Sequence, residues 1–67
     1  MLISYNPLWK LLIDKKMSRN QLSKKTGLSS ATMAKLSVGG NINTKVLIRI
    51  CEALDCDLSD IMQLERE

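Results

Sequence analysis

The chain has 67 residues, and three sets of side chains in it have types and spacings that invite a chemical reading: two cysteines, a pair of adjacent serines and an uneven distribution of charge. Cys51 and Cys56 are separated by four residues, and there is no histidine anywhere, so they make neither a zinc site nor a disulfide framework. Cys51 shares an apolar face with Leu47 and Leu54 and reads as packing, while Cys56 falls near a helix end. Ser29 and Ser30 lack a base that would make either a nucleophile. Gly39-Gly40 is not a phosphate loop, because no Lys-Ser/Thr pair follows at the required spacing. No nucleophile–base pair or metal set can be assembled, so an enzyme is not expected, and neither is a cofactor or a metal.

The charges carry more. Residues 1–49 hold nine lysines and arginines against Asp14 alone, a balance of +8, and residues 50–67 hold Arg66 against six carboxylates, a balance of −5. A small molecule that is basic at one end suits a polyanion. The reading that competes with this is an ordinary solvated surface with chance clustering.

The elements that must position these charges centre on Arg19 to Val38. Leu22 and Thr26 lie one helical turn apart, and Met33 and Leu36 share one face of a second helix. Ser23 is small where two helices must cross closely. Gly27 sits where the first helix must end and the chain reverse, a position that asks for a left-handed backbone. Leu28 follows as an apolar plug, and Ser29 or Ser30 is placed to cap the next helix. This series is the pattern of a helix-turn-helix, whose second helix enters the major groove of DNA. The outward residues of that helix, about 30–37, are Ser30, Ala31, Ala34 and Lys35. Ser18 with Gln21 forms a capping box for the first helix, about 19–26. Ser18 and Arg19 therefore open a helix whose N–H groups and dipole favour a phosphate. Lys45, in the first turn of a later helix, is a further phosphate anchor. Lys24 and Lys25 read equally well as solvated lysines or as contacts.

With these residues in place, residues 7–62 resemble the DNA-binding domain of the Cro/C1-type (XRE-type) helix-turn-helix repressor family. The likeness is carried by Met17-Ser18-Arg19, Leu22-Ser23, Thr26-Gly27-Leu28-Ser29, Met33, Leu36, and Leu47, Ile50, Leu54 with Asp57-Leu58 beyond. It implies that Ser30, Ala31 and Lys35 occupy base-reading positions and that Ser29 and Thr32 touch phosphate on the second flank. Lys35 can donate to guanine, Ser30 can serve either base class, and Ala31 can meet a thymine methyl. The sequence departs from the family at the recognition face, where many members carry Gln or Arg and this chain has the short Ser30 and Ala31. Shape readout then gains weight over direct readout. It departs again at Ser37 and Val38, where many members have a Glu and then an Asn or Arg.

The expected fold is all-α, a compact five-helix bundle of the lambda-repressor-like type formed by residues 1–67 as one domain, with residues 1–5 a short strand or a tail. Asn6 caps the first helix, Pro7 sits in its first turn, and the helix runs to about Lys16 with Leu8, Leu11 and Leu12 inward. Trp9 and Ile13 lie on a neighbouring face, as core or as dimer surface. Asn43 or Thr44 caps helix four, which carries Val46, Leu47, Ile50, Cys51 and Leu54 as a wide apolar stripe. Asp55-Cys56 breaks it. Asp57 with Asp60 starts a short fifth helix carrying Leu58, Ile61 and Met62, and residues 65–67 fray. The apolar residues 1–5 pair with the Met62-Gln63-Leu64 end of this chain or of a second one.

The function expected is a sequence-specific, double-stranded DNA-binding transcriptional regulator, a repressor acting as a homodimer in the cytoplasm. No segment reads as a signal peptide or a membrane span. The reading from another class is a protein-binding module or antitoxin-like partner that keeps the helix-turn-helix as scaffold.

Overall fold

The computed structural model describes residues 1–66, so Glu67, at the end expected to fray, lies outside the described residues. The elements run β1 (Leu2–Ser4), α1 (Asn6–Asp14), α2 (Arg19–Thr26), α3 (Ser30–Val38), α4 (Thr44–Leu54), a 3₁₀ turn (Leu58–Asp60) and β2 (Gln63–Glu65). Among the described residues the fold is thus four α-helices and a small sheet, not five helices. The Asp57–Asp60 capping box does form: Asp57 N–H donates to Asp60 Oδ2 at 3.0 Å. It closes only one tight turn. Ile61 then inserts fully into the core, which commits the chain to leave the turn extended, as β2.

β2 pairs antiparallel with β1 of the same chain, in register Leu2↔Glu65, Ile3↔Leu64 and Ser4↔Gln63. Of the two pairings expected for the apolar N-terminus, this is the one within a single chain. Glu65 belongs to the strand and is not frayed.

The helix ends show why the boundaries fall where they do. α1 is not capped by Asn6. Tyr5 occupies the cap position without a side-chain cap bond, and Asn6 is already helical, its N–H donating to Ser4 Oγ at 3.2 Å. Tyr5 is drawn in by burial and so sets the boundary one residue earlier. α1 also stops at Asp14, short of Lys16. Lys16 turns left-handed at φ 55°, and the Met17 N–H returns to the Leu12 carbonyl at 2.9 Å, a Schellman closure. The same closure ends α4 at Asp55, φ 52°, with Cys56 N–H on the Cys51 carbonyl at 3.0 Å. α2 has the expected capping box, Gln21 N–H to Ser18 Oγ at 3.1 Å and Ser18 N–H to Gln21 Oε1 at 2.7 Å.

The buried side chains form one cluster of Tyr5, Leu8, Leu12, Leu22, Leu28, Leu36, Leu47, Ile50, Leu54 and Ile61. Met33 only packs against its edge, half-buried, because it lies where α2 and α3 open toward the surface. Leu58, expected on a fifth helix with Ile61 and Met62, lies in the 3₁₀ turn and is exposed. No described helix is long and apolar enough to cross a membrane.

Candidate nucleic-acid interface

The interface is built by the turn between α2 and α3. Gly27 ends α2 in the left-handed region at φ 72°, and its N–H donates to the Ser23 carbonyl at 2.8 Å. Ser23 is more than a small residue at a crossing: its Oγ donates to the Leu28 carbonyl at 2.9 Å and ties α2 to the turn. Thr26 Oγ1 is satisfied within the helix by donating to the Leu22 carbonyl at 2.7 Å. Leu28 is buried, so the chain enters α3 at a fixed angle.

Of the two serines that follow, Ser29 is the cap. Its Oγ accepts from Thr32 N–H at 3.2 Å and lies 3.1 Å from Thr32 Oγ1. Ser30 is left as the first helical residue, with its side chain exposed. Ala31, Ala34 and Lys35 are exposed as well, while Leu36 is buried, so the residues expected on the outward face of α3 do lie there, and Ser37 and Val38 at its C-terminal end are exposed beside them. Ser18 and Arg19 open α2 and are exposed, and Thr32 is half-buried beside the Ser29 cap. Ser30, Ala34 and Arg19 line one groove between α2 and α3. Lys45 stands apart from that groove, exposed in the first turn of α4, its N–H held by Asn43 Oδ1 at 2.8 Å.

The C-terminal end of α3 is held by residues that sequence reasoning did not connect to it. Gly39 closes the helix at φ 73°, and the position where a Cβ would sit is 2.8 Å from the Ile3 carbonyl oxygen of β1. Tyr5 Oη donates to the Gly40 carbonyl at 3.3 Å. Arg19 is not a free arm. Its Nη1 donates to Ser37 Oγ at 2.8 Å, and its guanidinium lies 3.8 Å from the centroid of the Trp9 ring. Trp9 was expected as core or dimer surface, and Ser37 only as a departure from a family pattern. These contacts join α1, α2 and α3, and no local spacing signals them.

The far side differs in chemistry. Glu52, Asp55 and Asp57 flank a shallow groove with the exposed Ile48 and Leu58. Cys51 and Cys56 line it as free, half-buried thiols. Burial pushes both thiols up, Cys56 to about 11, so neither is a ready nucleophile near neutral pH. They stand where a Schellman closure brings its two flanking side chains together, which accounts for their contact as packing. No group of three or more potential metal ligands exists among the described residues.

The comparisons agree on one kind of protein. A family model described as the Cro/C1-type HTH DNA-binding domain matches residues 7–67. The crystal structure of transcriptional regulator VanUg (Form II) superposes with a TM-score of 0.95 at 45% sequence identity, covering 98% of this chain and 88% of that one. No curated protein matches the chain.

Proposed function

The chain belongs to the Cro/C1-type helix-turn-helix DNA-binding family, and from that premise we propose that it is a sequence-specific regulator that represses transcription by laying α3 in the major groove of an operator. The observation that carries this reading is the sorting of α3. Leu36 is buried, whereas Ser30, Ala31, Ala34 and Lys35 are all exposed on the opposite side. A helix presented this way, preceded by a rigid turn, meets the geometric need of groove insertion. Ser30, Ala31 and Lys35 read bases in this proposal. Ser18, Arg19, Ser29, Thr32 and Lys45 contact phosphate.

We further propose a homodimer, since a face with two short side chains gains specificity by using two half-sites. The exposed Leu2, Leu64 and Ile13 offer apolar surface for it. Sedimentation showing only monomer, both free at high micromolar concentration and on DNA, would remove this part of the proposal. Cytoplasmic action belongs to the same reading.

The test of DNA binding separates base from phosphate roles. Arg19→Ala should weaken all duplexes alike and lower the slope of log affinity against log salt by roughly one unit. Lys35→Ala should cost about 1–3 kcal/mol on a site selected from random DNA and less on a scrambled duplex. If the Lys35→Ala variant keeps the parent's ratio between the two duplexes, Lys35 is a phosphate anchor only. A second reading, a protein-binding module, has one observation in its favour, the apolar groove of Ile48 and Leu58 among carboxylates. Binding that survives high salt, with no duplex preferred, would favour it.

A further inference from the structure

An exposed arginine at the start of a helix ordinarily samples many rotamers. Arg19 does not. The Trp9 ring, from α1, covers one face of its guanidinium at 3.8 Å. Ser37, from the last turn of α3, accepts from Nη1 at 2.8 Å. Ser37 is itself fixed, because its Oγ donates to the Met33 carbonyl at 3.2 Å. The serine hydroxyl thus uses its one proton on the backbone and keeps its lone pairs for the arginine.

The two partners take little of what a phosphate needs. A guanidinium has five N–H donors in one plane. Stacking on Trp9 uses the face of that plane and none of the donors, and Ser37 takes one Nη1 proton. The rest of the planar fork remains, in an orientation set before any ligand arrives. Planar forks suit phosphate oxygens, and pre-setting one removes the ordering that binding would otherwise impose on a long side chain. Arg19 lines the groove between α2 and α3 together with Ser30 and Ala34, and it is the first residue of α2, an end whose N–H groups favour the same anion.

We propose that Trp9 and Ser37 are positioning residues for DNA binding, which hold Arg19 as a preformed phosphate fork beside α3. The proposal rests on the DNA-binding reading and deepens it. Ser37 also makes the fork a gauge of the recognition helix, since the same contact fixes the distance between the phosphate-binding group and the last turn of α3. Affinity therefore depends on two residues that need not touch DNA.

The experiment is a double-mutant cycle read on a selected duplex and a scrambled one at several salt concentrations, with melting temperature followed for every variant. Ser37→Ala and Trp9→Leu should each weaken both duplexes by about three- to ten-fold. Trp9→Phe keeps a ring face and should stay near the parent, which also covers the case of Trp9→Leu failing to fold. In an Arg19→Ala background, neither Ser37→Ala nor Trp9→Leu should weaken binding further, because their effect acts through Arg19. Equal losses in the parent and in the Arg19→Ala background would overturn the proposal, assigning both residues to general fold support. Full affinity in Ser37→Ala and Trp9→Leu, with a loss in Arg19→Ala, would overturn it too, since Arg19 would then need no positioning. If Arg19→Ala binds like the parent while Lys35→Ala loses specificity, the fork falls and the DNA-binding reading stands. If the parent itself fails to bind either duplex, the functional reading falls first.

Discussion

At its N-terminal end α3 is set by its immediate neighbours in sequence: the left-handed Gly27, the buried Leu28 and the Ser29 cap. At its C-terminal end it is set by distant ones. Ile3 closes on Gly39, Tyr5 on Gly40 and Arg19 on Ser37. The two closing glycines share a conformation, φ 72° and φ 73°, yet a Cβ added at Gly27 would meet nothing within 4 Å. The contrast shows how a helix can be offered and held at once. The end that presents Ser30 and Ala31 needs only local structure and stays open. The end away from it is anchored by the N-terminal strand, by Tyr5 and by Arg19 of α2, so the helix keeps its pose.

Leu36 lies between the two ends and serves both, so the largest loss is expected there. Leu36→Ala should destabilise by about 2–5 kcal/mol, as large-to-small core changes do. For a small domain that is a large share of the total stability. A variant that melts like the parent would show that α3 is not held through its core face at all.

Gly39→Ala comes next. It combines a left-handed backbone with a methyl group driven to 2.8 Å from a strand carbonyl, which cannot swing aside as a side-chain tip would. The expected loss is about 2–4 kcal/mol, with β1 pushed from its pairing with β2. Gly27→Ala has open space and pays only for the backbone, about 1–2 kcal/mol. Chemical denaturation of the two variants side by side measures the difference. Equal losses would mean that contact with β1 does nothing for the held end, and the comparison between the ends would fail.

The same contrast explains what the sequence made legible. The open end was readable because its determinants are adjacent. Ser18 and Gln21 announce a capping box, Gly27 a left-handed turn, and Ser29-Ser30 a cap, with only the choice between the two serines left to the structure. The held end was not readable, because nothing in the types of Ile3, Tyr5, Trp9 or Ser37 says which distant atom each will meet. The terminal strand was half legible. The apolar residues 1–5 and the segment Met62 to Leu64 were expected to pair, but spacing alone could not choose between this chain and a second one. The expected fifth helix is a single 3₁₀ turn for a definite reason. A capping box signals the start of a turn and carries no information on its length, and here burial of Ile61 ended it after one. The base and phosphate roles assigned to α2 and α3 rest on exposure and position, and DNA titrations are their test.

The smallest effect should come from the single hydroxyl at the held end, and pH separates it from everything else. Tyr5→Phe removes the bond to the Gly40 carbonyl at 3.3 Å and leaves the buried ring in place. A net loss of about 0.5–1 kcal/mol is expected near neutral pH, since the bond is long and only partly buried. Burial raises the Tyr5 phenol above its ordinary value of 10.0. In the unfolded chain the phenol ionises first, so above pH 10 the unfolded state holds fewer protons than the folded one and stability falls as pH rises. The contribution is fully present below pH 10 and disappears as the pH passes the folded value. Every other ionisable group is common to both proteins and cancels in the difference. The stability gap between the parent and Tyr5→Phe should therefore be constant from pH 7 to 9 and narrow above pH 10, and it can change sign once the buried phenol is forced to ionise. A gap that stays constant through pH 11 would show that the Tyr5 hydroxyl meets solvent freely, and the held end would then rest on Gly39 and Ser37 alone.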